Sequence, residues 1–280
     1  MKRVRNEPLY KHTTFRIGGP AELFLIPESE EELLESIRIC KEKGMEYRIL
    51  GRGSNLLVND KGIKGAVTKN TEACTHLEKD GHFVRVGSSV SLQKFVRFCV
   101  ENSLEGMEYL YSVPATVGGA IYMNAGRGRK HNLSISDALI SVRVFDGDKV
   151  MELKKEECGF DYRYSIFHEH KDWIILGAKF ELEDQPKEIG EQKIKERMKF
   201  VKDSQNRRYP NAGSIFKKKP GFALRIVNGC RIGGAQIKGN WISNIDGASF
   251  KDVLWLIRLS RLFSYLSLTK PELEIEIWYR

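Results

Sequence analysis

Two glycine-rich segments are the first candidates for ligand chemistry in the sequence. The first, Gly51–Asn55 (GRGSN), directly follows an apolar run that predicts a strand, so its backbone N–H groups can point into one concavity and hold a pyrophosphate. An ordinary glycine turn is the alternative. The Rossmann dinucleotide fingerprint is absent, because Leu56 stands where its third glycine would be and no acidic residue follows the next predicted strand.

The second segment, from Val113 to Gly126, consists of small, neutral residues with apolar residues on both sides. Small side chains let the backbone approach a flat or phosphorylated ligand closely, and consecutive N–H groups can donate hydrogen bonds to a ring edge or to phosphate oxygens. Close packing of backbone on backbone is the alternative. Both segments therefore favour a ligand that the backbone itself contacts.

Ser214 is the candidate for proton transfer. It follows Ala212-Gly213 and precedes the apolar pair Ile215-Phe216, with no adjacent histidine or aspartate to make it a nucleophile, so proton donation is the better role. A turn residue is the alternative. Basic residues on both sides suit the phosphates of a nucleotide, although each alone is typical of a solvated surface. They are Arg207, Arg208, Lys217, Lys218 and Lys219.

Three carboxylates near the C-terminus share one face of a predicted strand. Glu272, Glu274 and Glu276 alternate with apolar residues, which places their side chains on the same side. A solvated face on an edge strand is the bland alternative. The six histidines have no acids or cysteines at ligand spacing, so no metal site is predicted.

Composition excludes several classes of protein. The 280 residues, with 46 Lys+Arg against 37 Asp+Glu, carry a formal net charge of +9, but the basic residues are interleaved with acids, so a small phosphorylated ligand explains the charge as well as a nucleic acid does. No stretch approaches the roughly 20 apolar residues of a membrane helix, so we expect no membrane insertion. Five scattered cysteines predict reduced thiols in the cytoplasm.

The elements that must position these residues alternate between strands and helices, which predicts an α+β fold. A βαβ-sized unit leads into the first glycine segment: strands at Leu23–Ile26 and Tyr47–Leu50 flank a helix that Ser29 and Glu32 cap and Gly44 ends. A boundary near Pro186 separates two domains, residues 1–185, with α/β subdomains of about 1–68 and 69–185, and a C-terminal domain, residues 186–280. Further predicted elements are a strand at 83–87, a helix at 92–100, a hairpin at 142–153, a strand at 173–183, a helical segment between 183 and 209, a helix from Ser249 to about Leu266 and a strand at 271–278.

Taken together, the segments GRGSNLLV and VPATVGGAIYMNAG resemble the FAD-binding domain of the vanillyl-alcohol-oxidase-like flavoproteins. Within that fold the chain resembles the shorter type of the reductase family of peptidoglycan synthesis. The likeness continues in order through HTTFRIGGPA (residues 12–21), DYRYSIF (161–167), NAGSIFK (211–217), RIGGAQI (231–237) and PELEI (271–275). It therefore covers nearly the whole chain.

The resemblance implies noncovalent FAD in the first domain, NADPH as hydride donor, and an enolpyruvyl UDP-sugar that enters after NADP⁺ leaves. It implies a monomer that binds no nucleic acid. Substrate-binding residues would be Arg207, Lys217 and Lys218. The residues expected to contact FAD are Gly51, Arg52, Gly53, Ser54, Asn55, Leu56, Pro114, Thr116, Gly118, Gly119, Ala120, Asn124, Ala125 and Gly126.

The resemblance also implies three catalytic residues. Ser214 would give a proton to C2 of the enolpyruvyl group, and Arg163 would face the substrate carboxylate as a permanent, planar cation. For Arg163 a surface ion pair with Asp161 is the alternative. The Pro-Glu pair favours Glu272 as the carboxylate that assists protonation, while an error of two residues would select Glu274.

Two other functions stay open at this point. The chain has Lys218-Lys219 where the family usually has Asn-Pro, which leaves room for another FAD oxidoreductase of the same fold with a different acceptor. A basic nucleic-acid-binding protein is the second alternative, against which stands the absence of a basic aromatic stripe or a recognition motif.

Overall fold

The structure, a computed structural model, describes residues 1–127, 133–204, 208–266 and 270–280. It contains helices and sheets, as the predicted α+β class requires. The helices are α1 (Glu30–Glu42), α2 (Leu92–Glu101), α3 (Val117–Tyr122), α4 (Lys187–Ser204), α5 (Gly221–Ile226) and α6 (Phe250–Leu266). The strands are β1 (Lys2–Pro8), β2 (Pro20–Ile26), β3 (Tyr47–Leu50), β4 (Leu56–Val58), β5 (Ile63–Lys69), β6 (Leu77–Asp80), β7 (Phe83–Gly87), β8 (Leu139–Phe145), β9 (Val150–Lys154), β10 (Ile174–Glu181), β11 (Asn211–Ser214), β12 (Arg231–Ile232), β13 (Ala235–Lys238), β14 (Trp241–Asn244) and β15 (Glu276–Trp278).

The contacts of the chain divide it into two compact units, each built from separate stretches of sequence. Unit 1 comprises Met1–Arg3, Leu25–Arg52 and Ala66–Gln205. Unit 2 comprises Val4–Phe24, Gly53–Gly65 and Asn206–Arg280. The predicted domains, residues 1–185 and 186–280, divide the chain by ligand rather than by contacts, and that division stays a prediction.

Helix α1 begins and ends where the sequence predicts. Ser29 Oγ accepts a hydrogen bond from the N–H of Glu32 at 3.3 Å, which satisfies one open donor of the first turn. The Glu32 carboxylate accepts the N–H of Glu28 at 2.8 Å, so the second half of the predicted capping box shifts by one residue. At the other end Gly44 adopts φ +59°, a conformation that favours glycine.

Unit 1 is organised by a five-stranded sheet in the order β6-β7-β10-β8-β9. Strand β10 pairs antiparallel with β7 and β8, and β8 continues into β9 as the predicted hairpin, with Phe145 opposite Val150. Helix α2 packs its apolar face on this sheet, where the rings of Phe95 and Phe180 lie 5.1 Å apart. Their burial removes two large apolar side chains from water.

Unit 2 has its core between the sheet β11-β14-β13-β12 and helix α6. The N-terminus of α6 carries a complete capping box, since Ser249 Oγ accepts the N–H of Asp252 at 3.2 Å and the Asp252 carboxylate accepts the N–H of Ser249 at 2.9 Å. Val253, Leu256 and Ile257 then bury one face of the helix. The helix predicted from Ser249 to about Leu266 is confirmed.

The C-terminal strand is shorter than the sequence predicts. Alternation predicts a strand over 271–278, whereas β15 begins at Glu276, opposite Leu56, and pairs in parallel with β4. Before it, residues 272–274 exchange backbone hydrogen bonds with residues 215–217. The segment changes partner after residue 274, and this change interrupts the regular pairing that alternation alone predicts.

Neither a membrane-spanning helix nor a metal-binding cluster is found in the described ranges. No helix in the described ranges is long and apolar enough to cross a membrane. Over the same ranges, no cluster of three or more His, Cys, Asp or Glu side chains is arranged to hold a metal ion.

Candidate active site

The first glycine of the GRGSN turn makes room for a helix cap in unit 1. A Cβ at Gly51 would lie 2.9 Å from Thr116 Oγ1. That oxygen accepts the N–H of Gly119 at 3.2 Å and so caps α3. The two glycine segments predicted to bind one ligand thus meet at Gly51 and Thr116, at the N-terminal end of α3.

The second glycine of the turn allows a close backbone contact in unit 2. Gly53 adopts φ +61°, and a Cβ there would lie 2.3 Å from the carbonyl oxygen of His12. Its own carbonyl accepts the N–H of Thr14 at 3.1 Å. Only glycine meets both conditions without strain. The backbone of the turn is therefore held by the segment that begins the HTTFRIGGPA motif.

The other members of the turn differ in what they offer a ligand. Arg52 is exposed, whereas Leu56 is only 5% exposed and is committed to β4. Asn55 donates its side-chain amide to the carbonyl of Glu274 at 2.8 Å, and its carbonyl accepts the N–H of Glu276 at 2.9 Å. The Asn55 side chain thus ties the turn to the C-terminal segment, a role that the sequence analysis did not predict.

The second glycine segment is tightly packed at some positions and exposed to solvent at others. A Cβ at Gly118 would lie 2.9 Å from Ser88 Cβ, and one at Gly126 only 2.0 Å from the carbonyl oxygen of Leu133, so backbone packing explains these two glycines. Gly119 is exposed and lies at the first turn of α3. The other predicted contact residues also differ in solvent exposure: Ala120 and Asn124 are buried, Ala125 is half-buried and Pro114 is exposed.

Arg163 is held against this segment within unit 1. Its guanidinium donates to the carbonyls of Asn124, at 3.1 Å, and Gly126, at 2.7 Å, and lies 5.0 Å from the ring centre of Tyr162. The residue has φ +57°, which is uncommon for a residue other than glycine. Such backbone strain is often found at functional sites, and here it accompanies a fixed cation beside the glycine segment.

Asn124 and Tyr109 show how this part of unit 1 is ordered. Asn124, with φ +42°, is buried and donates its side-chain amide to the carbonyl of Asp161 at 2.9 Å, so it links the glycine segment to the loop that carries Arg163. Burial raises the pKa of Tyr109, while the positive charge of Arg163 acts on it in the opposite direction. The field of Arg163 therefore reaches the interior of unit 1.

Ser214 lies at the end of β11 in unit 2, between Gly213 and the buried pair Ile215-Phe216. Gly213, before it, has φ +79°, and Ser214 itself pairs with Trp241 of β14 after a break in register. After it, buried Asn240 holds the next two residues, because its carbonyl groups accept the N–H of Ile215 at 2.9 Å and of Phe216 at 3.1 Å. Ser214 is half-buried, so its hydroxyl stands at the edge of the unit 2 core.

The segment that carries the three carboxylates runs first beside the residues that follow Ser214 and then beside the GRGSN turn. The N–H of Lys217 donates to the carbonyl of Glu272 at 2.9 Å, and the N–H of Glu274 donates to the carbonyl of Ile215 at 2.8 Å. The Glu272 side chain is 74% exposed, with its carboxylate 3.8 Å from Lys217 Nζ. Glu276 instead begins β15, beside the GRGSN turn.

The cations predicted to bind the substrate differ in exposure, and one of them is not among the described residues. Lys217 is half-buried next to Glu272, and Lys218 is exposed. Arg207 lies outside the described residues, and its predicted role is not addressed by the structure.

Thr14 is the functional candidate that the sequence analysis missed. Its N–H donates to Gly53 and its Oγ1 donates to the carbonyl of Asn211 at 2.7 Å, so one residue joins the glycine turn to the first residue of the strand that carries Ser214. The HTTFRIGGPA motif includes Thr14, but nothing in the sequence indicates a hydrogen bond across 197 positions. The motif itself was the only available signal.

The predicted site residues are distributed over the two units. Unit 1 holds Gly51, the second glycine segment and Arg163 together, which provides a small-residue backbone and a fixed planar cation. Unit 2 holds the rest of the turn, Ser214 and the carboxylate segment together. The close approaches at Gly51 and Gly53 are contacts within the protein, with Thr116 Oγ1 and the carbonyl of His12, and they fix the backbone of the turn.

Comparisons with known proteins identify what this arrangement is similar to. A family model described as an FAD binding domain matches residues 21–151. UDP-N-acetylenolpyruvoylglucosamine reductase of Bacillus subtilis (strain 168) is 38% identical over 266 residues, covering 91% of this chain and 87% of that protein. The protein of the same name from Fervidobacterium nodosum is 36% identical over 288 residues, covering 98% of this chain and 91% of that protein.

A solved structure agrees over the full length. The crystal structure of UDP-N-acetylenolpyruvylglucosamine reductase from Thermus caldophilus superimposes with a TM-score of 0.80 at 34% identity, covering 99% of this chain and 98% of that one. The likeness therefore includes both units.

The hydrogen bond of Thr14 leads to a prediction about stability. Thr14→Val keeps the shape of the side chain but leaves the Asn211 carbonyl without its donor, so we expect the free energy of unfolding to fall by about 1–3 kcal/mol. Urea unfolding followed by tryptophan fluorescence measures it, with Trp241 reporting on the strand next to β11. Thr14→Ser keeps the hydroxyl and is the matched control. A loss in Thr14→Ser without a loss in Thr14→Val would assign the effect to the methyl group instead.

Proposed function

The chain belongs to the UDP-N-acetylenolpyruvoylglucosamine reductase family and is an FAD-containing oxidoreductase, and on that premise we propose that it reduces the enolpyruvyl group of UDP-N-acetylglucosamine enolpyruvate with NADPH. The product is UDP-N-acetylmuramate, a precursor of peptidoglycan. The observation that carries the proposal is similarity over nearly the entire chain to reductases of that name, both in sequence and in fold.

The residues available fit FAD, because the small side chains of the GRGSN turn and of the second glycine segment let a pyrophosphate and a flat ring approach the backbone closely. The predicted contacts in these segments remain our proposal for the cofactor site. When bound, FAD supplies the redox chemistry, taking up two electrons from NADPH and passing them to the substrate. Residues 1–185 would form the cofactor domain and residues 186–280 the substrate domain.

Ser214 is our proposed proton donor. Reduction of the double bond adds one hydride equivalent at C3 and one proton at C2, and the hydroxyl at the end of β11 supplies that proton and is reprotonated from solvent. Support comes from its position at the edge of the core. Gly213, with positive φ, precedes Ser214, and Asn240 holds the two residues that follow it.

Arg163 is our proposed partner for the substrate carboxylate. Negative charge builds up on this carboxylate as the double bond is reduced, and a planar, permanent cation stabilises it. The hydrogen bonds to the carbonyls of Asn124 and Gly126 fix the guanidinium plane before substrate arrives, which limits the entropy lost on binding.

The third catalytic group is a carboxylate of the segment 272–276. The Pro-Glu pair favours Glu272, which is near Lys217 but largely exposed to solvent. Glu274 is half-buried beside Ile215, and Glu276 is half-buried beside the GRGSN turn, so both have more sheltered positions than Glu272. Both are therefore candidates for the carboxylate beside Glu272.

Binding of the UDP portion and the cellular setting complete the proposal. Lys217 and Lys218, with Arg207, would face the diphosphate. We propose a cytoplasmic monomer that binds no nucleic acid. All five cysteines are free thiols and four of them are buried, which is consistent with a reducing compartment.

Anaerobic spectroscopy of the purified protein tests the proposed function. We expect a yellow protein whose flavin is released by denaturation, is bleached by NADPH and recovers its absorbance when the enolpyruvyl UDP-sugar is added. A protein that takes up no FAD would contradict the cofactor. Bleaching without recovery on the UDP-sugar, but with recovery on another acceptor, would favour a different FAD oxidoreductase of this fold.

Removal of the Ser214 hydroxyl should separate the two half-reactions. We expect Ser214→Ala to spare reduction by NADPH and to slow reoxidation by the UDP-sugar about 10²- to 10⁴-fold, since the proton is needed only when carbon is protonated. Stopped-flow absorbance measures both rates. Ser243→Ala, on the neighbouring strand β14, controls for local disturbance. Equal slowing of both half-reactions would remove Ser214 from the acid role.

Amide substitutions identify the carboxylate. Gln replaces Glu at 272, 274 or 276 with little change in size, so the catalytic position should lose reoxidation rate while substrate affinity changes little. The same stopped-flow assay compares the three variants. A loss confined to Glu272→Gln would confirm the Pro-Glu register, and a loss at 274 or 276 would move it. Normal rates in all three would discard the carboxylate role.

A further inference from the structure

Helix α6 exposes a continuous stripe of large apolar and cationic side chains. Trp255, Leu262 and Tyr265 are 56%, 58% and 55% exposed. Lys251, one turn before Trp255, and Arg258, between Trp255 and Leu262, are exposed as well. At 100° per residue these five positions fall within about 80° of the helix circumference and extend over about 21 Å. We call these five residues the α6 stripe.

The α6 stripe is separate from the face that forms the core. Val253, Leu256 and Ile257 are buried in the core of unit 2 on the other side of the helix. Within the stripe the guanidinium of Arg258 lies 5.4 Å from the ring centre of Trp255, so a cation and an aromatic ring are already associated there. None of these side chains belongs to the proposed active site.

The charge of the α6 stripe has one sign. The acidic residue of the helix, Asp252, lies off the stripe and caps the first turn through the N–H of Ser249. Helix α5, which packs on α6, likewise exposes Phe222, Arg225 and Ile226 and has no acidic residue. The surface therefore calls for an anionic partner.

Helix α4 gives a contrast within the same chain. It too exposes apolar side chains, with Ile189 47% and Phe200 51% exposed. Its sequence, however, interleaves four acidic residues with its bases, which is typical of a solvated helix. The combination of exposed aromatic residues with cations alone distinguishes the α6 stripe.

We propose that the α6 stripe is a peripheral docking surface for an anionic lipid bilayer. Trp and Tyr are the side chains that favour the interface between headgroups and hydrocarbon, and Lys and Arg are drawn to anionic headgroups. A helix can lie in the plane of that interface with its apolar side chains inserted shallowly. A second copy of the chain fits the surface poorly, because a symmetric antiparallel contact centred on the stripe would bring Arg258 against its own copy.

Vesicle sedimentation tests the proposal on the intact FAD-containing protein. We expect binding to vesicles of phosphatidylcholine with phosphatidylglycerol, little binding to phosphatidylcholine alone, and release at high salt, which screens the charges. Leu262→Glu should weaken binding to the anionic vesicles by at least about tenfold, since it puts a carboxylate in the middle of the stripe. Ile189→Glu on α4 is the matched control and should bind like the unaltered protein.

Each other outcome overturns the proposal. These outcomes are no binding to anionic vesicles, equal binding to both kinds of vesicle, and equal binding by Leu262→Glu and Ile189→Glu. Self-association that Leu262→Glu abolishes, without vesicle binding, would assign the stripe to a second copy. Binding to polyglutamate but not to vesicles would assign it to an acidic protein. Bound flavin content shows that each variant is folded, and Arg258→Glu repeats the test at a second exposed position.

Discussion

Two hydrogen bonds of a single residue, Thr14, join the GRGSN turn to the strand that carries Ser214. The backbone N–H fixes Gly53, and the hydroxyl fixes Asn211. Asn55 adds a third connection, from the same turn to the carboxylate segment. Neither the turn nor the Ser214 strand has enough regular structure to hold its own position, because β11 has four residues and the turn has none in a helix or strand. The proposed acid and the glycine turn are therefore positioned partly by Thr14 and Asn55, which connect segments distant in sequence.

The roles proposed for Arg163, as a cation, and for Ser214, as a proton donor, have different kinds of structural support. Arg163 is fixed by carbonyls of the glycine segment and by an uncommon backbone conformation, so its plane is set before any ligand binds. Ser214 follows a glycine with positive φ and precedes two buried residues. A charged group must be oriented to bind a carboxylate, whereas a hydroxyl needs only to reach the carbon that it protonates.

The local parts of the fold could be predicted from the sequence, and the parts that depend on distant contacts could not. The caps at Ser29 and Ser249 and the hairpin at 142–153 follow from neighbouring residues, and all three are present. The strand predicted at 271–278 failed because its pairing partner changes along its length. The family resemblance predicted an FAD reductase, which the comparisons confirm, but it could not show that Asn55 donates to the carbonyl of Glu274 or that Thr14 connects two segments.

The interleaving of the two units along the chain has a consequence for how the protein matures on the ribosome. Unit 2 combines Val4–Phe24 and Gly53–Gly65 with Asn206–Arg280, so β4 waits for β15, which is synthesised much later. Most of unit 1 is synthesised as the single stretch from Ala66 to Gln205 and has its sheet partners within reach earlier. Early contacts are therefore those of unit 1, while the hydrogen bond from Thr14 to Asn211 forms only after the later stretch of unit 2 has been synthesised. A nascent chain of this kind presents an incomplete unit 2 for most of its synthesis, which makes that unit the part that most needs chaperone protection.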